Sequence, residues 1–425
     1  MGMGPVLIFD KSTLQSLNTD EAVWLDNFYL CNITPLFFIE TLADIEKSVH
    51  RGRTPEQVVG DLAHKTPDYG SCVNAAHMYL LEGELSAGAN VDMRYGRPVL
   101  VPGRRVVLGE ETGVIFEQSP ESEALRRWQR KEFVEIERLT AKQWRRALSN
   151  LDWEEIYNTS KGYFAHREKP KTLEAVKQFV DEILDTWDQE QVFRVGLPLV
   201  GLPPGLQAFA FTRWKAAGRP NIRQFAPYFR HVLSVDLFFH LGIAADLISR
   251  DRPSNKIDLA YLYYLPFCMV FTSNDKLHAR SVPLFLRPDQ LFVAGKDLKA
   301  DLERLDRRYS VLPEEIKNLG TIKFAAYPPT DGDFLVSNHW DKYLSTWRDS
   351  ALAPPRPIAN EAEKALVAKI NSFTDNAMTA DPSADFDSDS ANSMVVKTMT
   401  AIRKGKWKRF PPEIDTKHYG GGGSG

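Results

Sequence analysis

The first fifty residues alternate short apolar runs with longer amphipathic stretches. Val6–Phe9 is an apolar run closed by Asp10, the pattern of a buried parallel strand that delivers a carboxylate at its C-terminal end. Ser12 and Thr13 are placed to cap the next helix, and Leu14, Leu17, Val23, Trp24, Leu25 and Phe28 supply apolar helix faces up to residue 28. Residues 29–33 read as a second strand. Thr34 as cap and Pro35 at the first helical position then predict a helix over 35–46, with Glu40 set among Phe37, Phe38, Ile39 and Leu42. Strand, helix, strand, helix in so short a span predicts an α/β layered fold.

The pattern changes over 61–224. A hairpin is predicted within 98–108 around Pro102 and Gly103, charged amphipathic helices over 121–151 and 172–187, and a Pro/Gly-rich loop over 196–205. This stretch reads as a mainly helical insertion. The α/β signal then returns, with a long apolar helix over 225–248, a polar turn over 250–256 and a short helix opened by Asp258. A strand over 267–271 runs into Thr272, Ser273, Asn274 and Asp275, a further strand is expected over 282–286, and helices over 296–308 and 360–373. Residues 1–60 and 225–300 are therefore expected to be two halves of one core, 301–373 a helical extension and 374–419 a flexible tail, Asp/Ser-rich at its start. The closing Gly/Ser run, 420–425, reads as an appended linker and is set aside.

Composition narrows the classes. With 425 residues, 43% of them hydrophobic, the chain can bury a full core, and a formal net charge of −3 supplies no global field for nucleic acid or anionic lipid. Cys31, Cys72 and Cys268 are far apart, which argues against a disulfide framework and favours a reducing cytoplasm. No apolar run reaches the roughly 18 residues of a membrane span, and the start lacks an export signal, so a soluble chain with no membrane partner is expected. Phosphate-loop, serine-hydrolase, zincin and dinucleotide-binding signatures are absent.

There remains a set of carboxylates. Asp10 and Asp275 each follow an apolar run, so neighbouring parallel strands would bring both to the sheet edge where open α/β folds bind ligands. Glu40 lies early in the helix after the second strand, Asp44 shares its face, and Asp258 precedes the later strand. Converging carboxylates repel unless a cation intervenes, and hard oxygen ligands suit Mg²⁺ or Mn²⁺. Such ions activate water and stabilise displacement at phosphorus, which makes phosphodiester hydrolysis the natural chemistry. Asp236 and His240, one helical turn apart, and His278, just past Asp275, read more simply as a satisfied pair and a solvated loop residue.

The order and setting of Val6-Leu-Ile-Phe-Asp10, Pro35-Leu-Phe-Phe-Ile-Glu40, Lys256-Ile-Asp258 and Val270-Phe-Thr-Ser-Asn-Asp275-Lys276 resemble the PIN-domain nucleases. The resemblance covers 1–50 and 230–295. It implies a three-layer α/β/α sandwich around a central parallel sheet, one or two divalent ions, and cleavage of single-stranded RNA. Asp10, Glu40, Asp258 and Asp275 would be the catalytic metal ligands, Asp44 a further ligand, and Ser12, Thr272 and Lys276 the support of the cleft. Pairing into a homodimer and a stress or phage-defence role under a regulatory protein partner come from the same analogy. A structure-specific DNA nuclease and a non-catalytic PIN-like scaffold stand as alternatives.

A second signal is electrostatic. Residues 192–235 contain no Asp or Glu, yet Arg194, Arg213, Lys215, Arg219, Arg223 and Arg230 are interleaved with Phe193, Phe209, Phe211, Trp214, Phe225, Tyr228 and Phe229. Cations that pair with phosphates and rings that stack on bases are suited to single-strand binding, so Arg213, Lys215, Arg219, Arg223, Arg230 and Trp214 are candidate nucleic-acid contacts. The competing reading is a packed core with an exposed arginine face.

Overall fold

A computed structural model describes residues 4–43 and most of 45–353. Residues 46–51, 69–70, 95–103, 117–119, 166–167 and 253 and many positions in 131–152 lie outside the described set, and beyond 353 only short stretches belong to it, chiefly 376–379, 393–397 and 404–410.

The core is a five-stranded parallel sheet. Its strands are β1 (Val6–Phe9), β2 (Leu30–Ile33), β3 (Ser71–Val73), β6 (Val270–Ser273) and β7 (Leu291–Ala294), in the order β3-β2-β1-β6-β7. Residues from both halves of the chain thus flank β1, which the sequence division anticipates. Because side chains alternate across a strand, Val6 and Ile8 enter one hydrophobic cluster with Leu36, Tyr261 and Phe271. Leu7 and Phe9 enter another with Trp24, Phe28, Leu298 and Trp340. Helices therefore cover both faces, as the three-layer expectation requires.

The local signals hold where capping chemistry is explicit. Asp10 caps α1 (Lys11–Ser16), and the predicted helical stretch to residue 28 breaks before Asn18, which forms a reciprocal capping box with Glu21 at the start of α2 (Thr19–Phe28). Pro35 starts α3 (Pro35–Ala43) as expected, but the Thr34 hydroxyl makes no capping bond. Later boundaries move. Asp258 does not open its helix but lies inside Ser254–Ala260, and a 3₁₀ segment, Tyr261–Phe267, delays the strand to Val270. The strand expected over 282–286 is a 3₁₀ turn, Val282–Leu284, with Pro283 removing a ladder donor, and the real edge strand is β7.

β3 belongs to the core sheet, so the first half of the core reaches past residue 60. The hairpin exists but turns later: β4 (Arg104–Leu108) pairs with β5 (Glu111–Phe116) through a two-residue loop in which Gly109 takes φ 63°. Residues around Pro102 lie outside the described set. The tail is also more ordered than expected. Met378–Thr379 pairs with β4, and Ser393–Lys397 runs parallel to β5. Trp407 is buried against Trp24, and Lys404, Lys406 and Arg409 pair with Asp68, Asp306 and Asp26. The described basic residues of 404–409 thus form a strap over acidic positions of the core. The helix expected over 360–373 falls mostly outside the described residues.

Candidate functional site at the C-terminal edge of the sheet

Parallel strands deliver their ends to one edge, and the chemistry-bearing residues collect there. Asp10 follows β1 at the centre of the sheet and is buried. Ser12 Oγ lies 2.9 and 2.7 Å from its two carboxylate oxygens, the Thr13 amide donates to Oδ1 at 2.9 Å, and Ser273 Oγ donates to Oδ2 at 2.7 Å. Ser12 thus holds Asp10 directly. Thr272 does not, because it sits in register with Phe9 and so lies on the opposite face, and its neighbour Ser273 takes the role.

His278 completes this network. Its Nδ1 is 2.8 Å from Ser273 Oγ and 3.5 Å from Asp10 Oδ2, while Nε2 meets the Asp258 carbonyl oxygen. Both ring nitrogens can donate, which suits the imidazolium form. Burial alone would lower its pKa, but the hydrogen bond to Asp10 and the charges of Asp10 and Asp258 push it up to about 9. Burial likewise opposes the Asp10 charge, yet the hydrogen bond and charge of His278, with the Ser273 and Ser12 hydroxyls, hold that carboxyl below its ordinary range.

Asp275 caps the following short helix, Oδ1 accepting from the Leu277 and His278 amides at 2.6 and 3.1 Å. It therefore aims His278 inward from the first helical turn. Lys276 is exposed. Glu40, on α3, accepts from Tyr261 Oη at 2.9 Å and lies 3.5 Å from the buried Lys11 ammonium. Asp44 lies outside the described residues. Asp258 carries the clearest signature of convergence. Burial raises its pKa to about 7 against the lowering effect of His278, and the charges of Asp275, Glu40 and Asp10 all add to the rise. Four segments distant in sequence thus share one electrostatic neighbourhood.

These donors fit a hard divalent ion in chemistry and charge. Among the described residues four carboxylates face two buried cations, Lys11 and His278, leaving a formal deficit of two positive charges when Asp258 is ionised. They are not drawn to ligand spacing. Among the described residues no group of three or more His, Cys, Asp or Glu side chains is placed to hold a metal. The physical reason is visible in the same contacts, since Asp10, Glu40 and Asp275 each spend oxygens on internal donors. Lys11, Tyr261 and Ser273 were not among the expected site residues, and His278, expected as a solvated loop residue, is buried against Ser273 and Asp10. Only His278 had a usable signal, three residues beyond a capping Asp, the spacing that turns a side chain toward the cap.

The helix bearing Asp258 is anchored from the long helix Pro227–Ala244. Lys256 Nζ and Tyr263 Oη both bind the buried Asp236, which lies on that helix. Asp236 is thus satisfied by Lys256 and Tyr263, and burial pushes the His240 imidazole down to about 4.

The basic aromatic stretch resolves differently. Trp214 is 1% exposed, donates to the Pro220 carbonyl and packs on Phe193 and Phe211, so it offers no platform for a base. Arg213 binds the carbonyls of Glu84 and Leu85 at 2.7 and 2.9 Å, Arg219 pairs with Glu190, and Arg223 and Arg230 pair with Asp185. Lys215 is exposed and lies over the Phe211 ring. Phe193, Trp214, Tyr228 and Phe229 are core while Phe209 is exposed, and two acids, Asp185 and Glu190, are each shared by two arginines, pairing four of the six cations.

No protein-family model, no curated protein and no solved structure matches this chain. Among the described residues no helix is long and apolar enough to cross a membrane.

Proposed function

We propose that the protein is a metal-dependent nuclease with a PIN-like core, hydrolysing phosphodiester bonds of single-stranded RNA. One observation carries the reading: the Asp258 carboxyl, raised by burial, is raised further by Asp275, Glu40 and Asp10 at the carboxyl edge of a parallel sheet. Asp10, Glu40, Asp258 and Asp275 would hold Mg²⁺ or Mn²⁺, which when bound supplies Lewis-acid stabilisation of charge at phosphorus. Asp258, whose carboxyl is raised to about 7 by burial and by the neighbouring acids, would release its proton on taking up the ion. His278 and the Ser12 and Ser273 hydroxyls hold Asp10 in one orientation, and Tyr261 does the same for Glu40. Dimer formation and a regulatory partner remain part of the analogy and carry no step.

The second reading is a non-catalytic PIN-like scaffold, favoured by Lys11 and His278 serving as internal counter-ions to the acids. Matched single- and double-stranded RNA and DNA oligonucleotides with Mn²⁺ separate the possibilities. Cleavage of single-stranded RNA that disappears in folded Asp258→Asn and Asp10→Asn supports the proposal. Preference for structured DNA substitutes the DNA enzyme, and no cleavage together with no heat of Mn²⁺ binding leaves the scaffold.

A further inference from the structure

Buried polar side chains normally find partners, so those that lack one point to something missing. Among the described residues, five of the thirteen such atoms belong to Thr13, Thr34, Asn74 and Thr272, all at the carboxyl edge of the core sheet. Asn74 contributes two, because neither its amide oxygen nor its amide nitrogen is paired, and both Asn74 and Thr34 are fully buried.

Register places these two beside Asp10. The Asn74 backbone amide donates to the Ile33 carbonyl at 2.8 Å, the parallel pattern that sets Asn74 opposite Thr34. The β1–β2 ladder pairs Val6 with Leu30 and Leu7 with Cys31 and stops there, and counting on along each chain brings Thr34 level with Asp10. The Asp10 backbone amide donates to the Thr272 carbonyl, which sets Asp10 opposite Ser273. Residues opposite one another in a parallel sheet project from the same face, so Asn74, Thr34, Asp10 and Ser273 form one polar row across four strands. At about 4.8 Å per strand, Asn74 stands about 10 Å from Asp10, comparable to the distance from a nucleotide's phosphate to the far edge of its base.

We propose that Thr34 and Asn74 form a nucleoside subsite that extends the acidic centre across β2 and β3. The inference rests on the nuclease reading. The end of the row formed by Thr34 and Asn74 is uncharged and bears both donors and acceptors, which suits a base edge and not a phosphate. An asparagine amide pairs bidentately with a base that presents an adjacent donor and acceptor. The Thr34 hydroxyl, lying between, can serve the sugar. Full burial excludes competing water, so a ligand there reaches the row only as the segment after Asn74 yields. The helix that begins at His77 has no side-chain cap at Ala76, and its first amide is held by Tyr264 Oη at 3.0 Å, so that contact is the one such a movement would have to break.

The test is calorimetric titration of the full chain, in Mg²⁺, with the four ribonucleoside 5′-monophosphates and with ribose 5-phosphate. The expected result is a tighter complex with at least one nucleotide than with the sugar phosphate. Asn74→Ala should then weaken that nucleotide about tenfold or more, the loss of one bidentate pair, and leave ribose 5-phosphate unchanged. Thr34→Val, nearly isosteric, decides the matter should Asn74→Ala fail to fold, with weakening again confined to nucleotides. Unchanged nucleotide affinity in both variants, as for a row that holds only internal water, overturns the proposal. Equal binding of nucleotide and sugar phosphate by the wild type overturns the subsite while leaving the nuclease reading intact. Binding of neither probe removes the phosphate site and the subsite together.

Discussion

The carboxyl edge of the sheet and the stretch 192–235 are both assemblies of charges and rings, yet they are built in opposite senses. In the helical stretch the rings face one another, Phe193 against Trp214, Phe225 and Phe229, and Arg194, Arg219, Arg223 and Arg230 lie outside, paired to Asp185 and Glu190. Its charges are peripheral and its apolar groups central. At the sheet edge the charges themselves are buried. Asp10, Lys11 and His278 are almost wholly removed from water, and Asp10 and His278 are held by short networks of hydroxyls and amides. Burying charge costs free energy unless something compensates. The edge is therefore where the fold gives up stability, and the basic stretch is where it gains stability.

Substitutions should separate the two regions by kind of effect. The largest is expected at the edge: Asp258→Asn should lower Mn²⁺-dependent cleavage by at least about 10–100-fold, the loss typical when a group that builds a metal site is removed, with an unchanged circular dichroism spectrum. Retained cleavage would make Asp258 a bystander. In the helical region, Trp214→Ala should cost about 3–5 kcal/mol in chemical denaturation, as for other buried large-to-small changes, and should lower RNA affinity only in step with unfolding. Selective loss of RNA affinity in the folded variant would restore the nucleic-acid reading of that stretch.

Lys256 joins the regions. Lys256→Met leaves Asp236 buried without its cation, a change that costs about 3–5 kcal/mol in comparable buried pairs, and it should also impair cleavage, because the helix that holds Lys256 carries Asp258. A stable, fully active variant would show that the long helix Pro227–Ala244 does not support the site.

A pH effect tests the helical side alone. Glu84 caps the helix Pro227–Ala244 by accepting from the Tyr228 and Phe229 amides, and burial raises its pKa from 4.5 to about 7, against those hydrogen bonds and the charge of Arg213. A carboxyl raised on folding favours the protonated native state. Its contribution to stability is therefore best below about pH 4.5, declines as pH rises from there to 7, and is constant above. The stability difference between wild type and Glu84→Gln should follow that window with an amplitude of roughly 1–3 kcal/mol, read from denaturation midpoints across pH. A flat difference would show that Glu84 keeps an ordinary acidity. The smallest effect belongs to the exposed Lys215: Lys215→Ala should change stability by less than about 0.5 kcal/mol and leave RNA affinity unchanged, whereas a clear drop in affinity would mark a contact.

Legibility of the chain tracks the range of the forces involved. β1, β2 and α3 were readable because four-residue apolar runs and a Thr-Pro start are local signals. That Asp10 and Asp275 lie at one edge of the sheet was readable from strand order, since neighbouring parallel strands end together, whereas Glu40 and Asp258 sit on helices whose placement strand order does not give. The partners that hold those acids were not readable either. Lys11 looks like any surface lysine after a strand, and only the packing of α3 over α1 buries it against Glu40. Ser273 and Thr272 differ by a single position, so a small misplacement of the strand exchanged their faces. The docking of Trp407 on Trp24 joins residues almost at opposite ends of the sequence, and no local pattern encodes it.

The most direct test of the account is anomalous diffraction from a crystal soaked in MnCl₂. The account predicts one or two anomalous peaks at the carboxyl edge of the sheet, each within about 2.0–2.3 Å of carboxylate oxygens drawn from Asp10, Glu40, Asp258 and Asp275. An edge without a peak, with Lys11 and His278 still the only cations among those carboxylates at saturating manganese, would contradict it.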